Sequence, residues 1–251
     1  GSVVVHAMGG WLALAAVLLL GPRNGRYREG RLVAFAPSSI PFLALGSWIL
    51  IVGWFGFNGG SALEANGLAA SAILVTNIAA SVGALGWMLT EWLLNKRTTM
   101  LGAASGAIAG LVGITPAAGY VDLTGGLIIG LLAGMIGYFG VFEIKKKFGY
   151  DDPLDAFGIH ALAGIWGAIA TGIFANPSVN PTGTGALYGN PKQILTQILG
   201  VVITIVFSVI GTFIVFKISA LLTGGGRVDT EEEITGLDQT IHGEKSFNLD
   251  V

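Results

Sequence analysis

Two histidines lie within strongly apolar stretches of the chain, where ionisable side chains are uncommon. His6 lies in VVVHAMGG and His160 in FGIHALAG, and both copies read His-Ala-x-x-Gly. At bilayer depth an ionisable ring is costly unless it faces a partner or a water-lined cavity, so it typically marks a transport route, a proton relay or a cofactor. Related segments indicate an internal repeat, and transporters often place their site where two repeats meet. The pattern predicts one site built from both histidines.

A second group with chemical potential, Trp54, Phe57 and Ser61, ends another apolar stretch. Phe57 and Ser61 are four residues apart, which on a helix puts an aromatic ring and a hydroxyl acceptor on one side. That combination can hold a small cation by cation–π attraction and hydrogen bonding. Aromatic residues are also frequent at membrane interfaces, so a purely structural role is an equal alternative for Trp54.

The composition predicts that these residues sit in a membrane protein. Hydrophobic residues make up 53% of the 251 residues and charged residues 11%, which leaves too little polar surface for a water-soluble globule. The chain has no cysteine, which excludes disulfides, thiolate metal sites and cysteine nucleophiles. Most of its 40 glycines fall within the apolar stretches and indicate close helix packing.

Seven stretches approach the length of about 20 mostly apolar residues that a transmembrane helix needs. They are 2–21, 40–60, 69–94, 101–120, 124–142, 154–175 and 194–222. Lysine and arginine cluster after the first, third, fifth and seventh stretches, and the other connections carry almost none. The positive-inside rule therefore predicts that the basic loops and the C-terminus are cytoplasmic. Because the chain begins inside an apolar run, we expect the natural start to lie upstream.

Acidic residues mark two further places. The sixth stretch opens with YDDPLDAFGIH, where Asp152 is suited to capping the helix, Pro153 to its first turn and Asp155 to the positive end of the helix dipole. We therefore interpret Asp155 as a structural cap near the histidine site.

The C-terminal part has a different composition, which divides the chain into a membrane domain at 1–223 and a cytoplasmic tail at 224–251. The tail carries seven acidic residues against two basic ones. It is either a docking segment for a partner or a solvated disordered end. His242 lies in this tail, and we interpret it as unrelated to the other two histidines.

Four long segments together resemble one known family. GWFGFNGGSA, LGAASGAIAGLVGITPAAGY, DDPLDAFGIHALAGIWGAIATGIFA and GLDQTIHGE are similar to the ammonium transporters of bacteria, archaea, plants and fungi. The resemblance covers essentially the whole chain. It implies an all-α polytopic membrane fold of eleven helices, built as two inverted five-helix repeats plus a last helix, of which this chain would supply helices five to eleven. It also implies a homotrimer with one pore per subunit.

The resemblance assigns roles to the residues singled out above. His6 and His160 match the pair that lines the pore, while Phe57 and Ser61, with Trp54 in the same cluster, match the outer gate and recruitment site. A second gate phenylalanine, a recruitment tryptophan and an aspartate would lie before Gly1. The substrate would be ammonium, with methylammonium as an analogue, at the plasma or inner membrane. No metal, cofactor or enzymatic activity is implied.

The tail matches a regulatory motif of the family, with Gly236 and Asp238 falling on it. In the family this region packs under the pore, couples subunits and helps a P-II-type signalling protein to dock. Removing the residues after Gly226 should therefore weaken transport or its control.

The chemistry of the substrate agrees with this interpretation. Ammonium resembles potassium in size, but only ammonium can lose a proton, so selection by deprotonation is available to it alone. Two imidazoles in a narrow dry pore would share one proton, each nitrogen acting as donor or acceptor. Burial disfavours imidazolium, so both rings should be neutral at rest.

Two other functions are compatible with parts of the pattern. Two histidines on different membrane helices also hold b-type haem, although each span here has one histidine and no second pair exists. A membrane domain with a cytoplasmic tail also fits an ammonium sensor that signals to a partner. Hydrolase elbows, phosphate loops and His-Glu-x-x-His patterns are absent from the sequence.

Overall fold

The fold is known from a computed structural model that describes residues 3–29, 31–33 and 35–246. Ser2 of the first predicted span and residues 247–251 of the predicted tail lie outside these residues. The α-helices are α1 Met8–Leu20, α2 Ile40–Gly59, α3 Gly67–Asn95, α4 Met100–Ile114, α5 Leu123–Phe139, α6 Lys145–Phe148, α7 Ala163–Phe174, α8 Lys192–Thr223, α9 Thr230–Thr235 and α10 Leu237–Thr240. Two-residue strands, β1 Tyr27–Arg28 and β2 Arg31–Leu32, form one antiparallel hairpin.

Three π-helical segments continue these helices, at Val3–Ala7 before α1, Gly140–Ile144 between α5 and α6, and Phe157–Leu162 before α7. We call the first and third the His6 π segment and the His160 π segment. Within the described residues, six continuous helical stretches are long and apolar enough to cross a membrane. The chain is therefore a multi-pass membrane protein with an all-α fold, as the composition predicts.

The predicted spans agree with the helical stretches to within two residues except at three places. The span 124–142 continues as helix to Phe148. The span 101–120 is an α-helix only as far as Ile114, and residues 115–120 form turns. Pro116 contributes to this early end, because it has no backbone N–H to continue the helical ladder. The span 154–175 begins its helix at Phe157, three residues later than predicted.

Glycines allow α3, α4 and α5 to form the tightly packed centre of the fold. A Cβ added at Gly110 would collide with the backbone oxygen of Ala79, and one added at Gly134 would collide with that of Gly83. Lipid-embedded helices gain stability from such close backbone approach, because water does not drive them together.

Side chains cap the first turns of α2, α3, α4 and α5. Ser39, Asn66, Thr99 and Asp122 each accept a hydrogen bond from a backbone N–H in the turn that follows. These caps satisfy N–H groups that the helices leave free at their starts.

The recorded contacts between loops join segments from the same predicted side of the membrane. Asp151, in the loop before the His160 π segment, binds Arg23 in the loop after α1, and the backbone N–H of Asn24 donates to Glu233 of the tail. In the opposite set of loops, the amide of Asn176 donates to Asp122. The loops after the first and fifth predicted spans and the tail after the seventh thus lie together at one end of the bundle.

Candidate functional site

The two histidines of the repeated motif are in direct contact. Nδ1 of His6 lies 3.4 Å from Nδ1 of His160, and the ring centroids are 5.5 Å apart with 27° between the ring planes. One Nδ1 must carry the proton of this contact and the other must accept it, so the pair shares a single proton. Each ring is on a π-helical segment, and π turns are frequent at functional sites.

The rest of the repeated motif explains how the rings meet. A Cβ added at Gly10 would lie 2.6 Å from Cβ of Ala161, and one added at Gly164 would lie 3.1 Å from the backbone nitrogen of Ala7. Ala7 and Ala161 are both completely buried. The glycine of each copy therefore receives the alanine of the other copy, and this reciprocal contact sets the separation of the two histidine-bearing helices.

Aromatic residues of α2 pack on His6. The indole of Trp54 stacks on the imidazole with centroids 5.0 Å apart and 16° between the planes, and the ring of Phe57 lies 5.7 Å away. Trp54 is 8% exposed, whereas Phe57 is 43% exposed. The structure thus brings Trp54, Phe57, His6 and His160 together in one continuous row of rings.

His6 has one polar atom that no described group satisfies. Its Nε2 is buried and has no hydrogen-bond partner among the described residues. Buried polar atoms are nearly always hydrogen-bonded, so an exception points to a ligand, water or transported species. The Nε2 atom can make one hydrogen bond with such a species, as donor or acceptor according to the tautomer.

Ser61 lies at the end of α2, one helical turn beyond Phe57. Its hydroxyl donates to the backbone oxygen of Phe57 at 2.8 Å, and the side chain is exposed. Because the hydroxyl proton is used inside the helix, its oxygen presents lone pairs to the outside. Ser61 and the exposed ring of Phe57 therefore form a surface that suits a hydrogen-bonding cation.

The carboxylate that caps the His160 π segment is Asp152, as predicted, whereas the interpretation of Asp155 as a further structural cap is wrong. Oδ2 of Asp152 accepts the backbone N–H of Phe157 at 2.8 Å. Asp155, with a positive φ of 56°, is instead bound by Nζ of Lys145 at 2.6 Å. Burial raises the pKa of Asp155, and the charge of Lys145 offsets this only in part.

A buried ion cluster anchors the same loop. Asp151, whose side chain is 1% exposed, contacts the guanidinium groups of Arg23 at 2.8 Å and Arg26 at 3.0 Å. Burial alone would raise the pKa of Asp151, but the hydrogen bonds from Arg23 and the charges of both arginines outweigh it, so its pKa lies below the ordinary value. The side chain of Arg26 also donates to the backbone oxygen of Val33.

The geometry bears on the alternative of a haem between the two histidines. Because the imidazole rings touch, no macrocycle fits between them as they stand. Groups of three or more His, Cys, Asp or Glu that could hold a metal ion do not occur among the described residues. What the pair can do chemically is pass one proton between two nitrogens.

The tail is folded against the loop after α1. Arg227 donates to the backbone oxygen of Leu20 and forms an ion pair with Glu233 at 2.6 Å. Gly236 has a φ of 105°, a conformation in which L side chains are strained, and Asp238 accepts the backbone N–H of Ser246. Neither Gly236 nor Asp238 is near the histidine pair in sequence or in the contacts described.

Sequence reasoning missed Thr115, which binds Trp54 in the site. The indole Nε1 of Trp54 donates to Oγ1 of Thr115 at 2.9 Å. The Thr-Pro step inside the predicted span is the sequence signal that could have drawn attention to this residue, since a polar residue inside an apolar span needs a partner.

Comparison with known proteins places the chain among membrane transporters. The model of the Ammonium Transporter Family matches residues 1–247. An ammonium transporter of Aquifex aeolicus is 49% identical over 249 residues, which cover 99% of this chain and 56% of the relative. An ammonium transporter of Bacillus subtilis is 48% identical, with 98% of this chain and 60% of the relative covered. The chain thus spans little more than half the length of these relatives.

Solved structures give the same result. The crystal structure of Candida albicans Mep2 matches with a TM-score of 0.83 at 34% identity, covering 91% of this chain and 51% of that chain. A structure titled Sensor Amt Protein matches with a TM-score of 0.87 at 31% identity, covering 95% and 58%. From the repeated histidine segments, the helical membrane fold and these matches together, we conclude that the chain belongs to the Ammonium Transporter Family.

Proposed function

We propose that the protein carries ammonium across a membrane by moving ammonia and a proton separately past the histidine pair. The observation that supports this most strongly is the direct Nδ1 contact between His6 and His160 together with the buried, unsatisfied Nε2 of His6. A shared proton and a free ring nitrogen suit a molecule that changes its own protonation state. The names of the relatives support ammonium as the substrate.

Ammonium is first held at the surface formed by Ser61 and Phe57. The lone pairs of the Ser61 hydroxyl accept an N–H of ammonium, and the ring of Phe57 attracts the cation through its face. Trp54 extends this aromatic surface inward to His6. Potassium would find the aromatic attraction here but could donate no hydrogen bond.

Deprotonation then allows passage. One N–H bond of ammonium breaks, the electron pair stays on nitrogen, and the released proton is taken up by the imidazole pair. Neutral ammonia passes along the apolar row of rings, hydrogen-bonding to the free Nε2 of His6 on the way. At the other end the proton leaves His160 and ammonia is protonated again, so each cycle moves one positive charge.

The orientation of the protein follows from its charged loops. We infer that the loops containing Arg23 and Lys145 and the tail are cytoplasmic in a plasma or inner membrane, with Ser61 on the outside. Ammonium uptake is the direction that this arrangement favours. The contacts of Arg23 with Asp151 and of Asn24 with Glu233 support placing these segments on one side.

The tail is proposed as the regulatory part of the protein. Arg227 binds the last residue of α1, and Glu233 binds Asn24 in the loop that follows. Because α1 directly continues the His6 π segment, a partner that displaces the tail has a mechanical route to the pore. A P-II-type signalling protein is the partner that the family resemblance suggests, and Gly236 and Asp238 would shape the docking surface. A homotrimer with one pore in each subunit is the assembly we expect.

A sensing role is the second candidate function. It is favoured by the similarity to the structure titled Sensor Amt Protein and by the attachment of the tail to the loop after α1. In this case ammonium binding at Ser61 and Phe57 would change the conformation of the tail without a substantial flux of ammonium through the protein.

Uptake of labelled methylammonium tests the transport proposal. Proteoliposomes containing the protein in its full-length context should take up label, ammonium should compete and potassium should not. Ser61→Ala should raise the KM at least severalfold, because it removes the acceptor at the surface, while Ser178→Ala on a distant outer loop serves as the control. Absence of uptake, with ammonium binding retained, would refute transport and favour sensing.

A further inference from the structure

Thr115 occupies an unusual place, since it is a polar residue at the end of a helix that stops inside its predicted span. It closes the C-terminal turn of α4, where its backbone N–H bonds to the oxygens of Leu111 and Val112. Its side chain points to Trp54, which belongs to the site, although Thr115 itself contacts neither histidine in any recorded hydrogen bond or ring contact of the described chain.

The direction of each hydrogen bond around Thr115 is fixed. Its hydroxyl donates to the backbone oxygen of Leu111 at 2.7 Å, so the oxygen is left as an acceptor for the indole of Trp54 at 2.9 Å. An indole N–H can only donate. The two hydrogen bonds therefore form a relay with a single donor-to-acceptor direction, from the indole N–H of Trp54 through the hydroxyl of Thr115 to the backbone oxygen of Leu111 in α4.

This relay fixes the ring that stacks on His6. Trp54 is held at its Nε1 by Thr115, and its face lies 5.0 Å from the imidazole with 16° between the planes. Rotating the indole away from Thr115 would also rotate the surface on which His6 rests. The imidazole could then no longer present the same nitrogen to His160.

We propose that Thr115 is a positioning residue of the histidine pair, which acts through Trp54 and sets which nitrogen of His6 faces His160. This inference rests on the proposed function, because the consequence of a misplaced His6 is slower proton passage. The orientation of His6 depends on Thr115 whether or not the protein transports ammonium.

Three variants separate positioning from general destabilisation. Thr115→Val keeps the shape and removes the hydroxyl, whereas Thr115→Ser keeps the hydroxyl. Thr171→Val is the matched control, because the hydroxyl of Thr171 is buried and donates to the oxygen of Gly167 four residues earlier, as that of Thr115 does to Leu111, with no indole attached.

Transport in the full-length context is the first readout. Since a displacement on the order of 1 Å in an active site costs about 100-fold in rate, Thr115→Val should lower kcat about tenfold or more. The KM for ammonium should change little, because Ser61 and Phe57 are untouched. Thr115→Ser and Thr171→Val should both stay close to the parent protein.

Nuclear magnetic resonance of protein labelled with ¹⁵N at tryptophan and histidine is the second readout. In Thr115→Val the indole signal of Trp54, assigned by its loss in Trp54→Phe, should shift, and the ring nitrogen signals of His6 should move with it. Thr171→Val should leave both unchanged.

The outcomes distinguish the two claims. Unchanged kcat and unchanged His6 signals in Thr115→Val would overturn the positioning role while leaving transport intact. Shifted Trp54 and His6 signals in a protein that shows no flux with any variant would support the positioning role and refute the proposed function. Equal losses in Thr115→Val, Thr115→Ser and Thr171→Val would show a structural effect only and would overturn the inference.

Discussion

Replacing Gly10 by alanine should separate the two histidines without touching either ring. The added Cβ would lie 2.4 Å from the backbone nitrogen of Ala161, whereas Cβ contacts essentially never fall below 3.0 Å, so α1 must move from the His160 π segment by at least about 0.6 Å. Added to the present 3.4 Å, this places the two Nδ1 atoms about 4.0 Å apart, beyond hydrogen-bonding distance. Overpacking of this kind costs about 1–3 kcal/mol in stability.

The neighbouring glycine provides the control. A Cβ added at Gly9 meets nothing within 4 Å among the described residues, so Gly9→Ala makes the same chemical change on the same helix without the collision. Ammonium-driven flux in proteoliposomes should fall about tenfold in Gly10→Ala and stay near the parent value in Gly9→Ala. Equal flux in the two variants would show that the reciprocal glycine contact does not set the separation of the two histidines.

Three other perturbations test the surroundings of the site. Asp151→Asn leaves the buried guanidinium of Arg26 without its counter-ion, so it should lower the free energy of unfolding by about 3–5 kcal/mol. Equilibrium unfolding measures this loss, with the exposed Lys146→Gln variant as the control. A loss no larger than that of the control would show that Asp151 does not anchor the loop. Because the pKa of Asp151 is lowered in the folded state, its contribution is present above the ordinary carboxyl pKa of about 3.9 and disappears as the pH falls through the folded value. The difference between parent and variant should therefore be full at pH 7 and shrink below about pH 4. Glu233→Ala, which removes the acceptor for Asn24 and the partner of Arg227, should expose the tail to proteolysis while leaving thermal stability nearly unchanged, and unaltered cleavage would argue against the attachment to Asn24.

The sequence predicted the membrane class and the histidine pair because both follow from local patterns. Long apolar stretches have the length of a bilayer, and the repeated His-Ala-x-x-Gly motif marks two segments that must meet if the repeat is symmetric. The reciprocal contacts of Gly10 with Ala161 and of Gly164 with Ala7 show what the motif's alanines and glycines contribute.

Features that depend on distant partners were not predicted. The local rule for a helix start correctly predicted the cap at Asp152, but it also assigned Asp155 to the cap, whereas Lys145 reaches Asp155 from another helix and forms an ion pair with it. The π-helical segments that carry both histidines also have no distinct sequence pattern, because they depend on how neighbouring helices pack. Thr115 is recognisable as part of the site only when Trp54, 61 positions away, is seen to bind it.

Ammonium-evoked current reports directly on proton passage through the histidine pair. The protein in its full-length context is compared in proteoliposomes with a His6→Ala, His160→Ala double variant and with His242→Ala, which alters a tail histidine outside the site. We predict a saturable current that potassium does not evoke, that the double variant lacks and that His242→Ala retains. An undiminished current in the double variant, or ammonia flux without current in the parent protein, would contradict proton passage through the histidine pair.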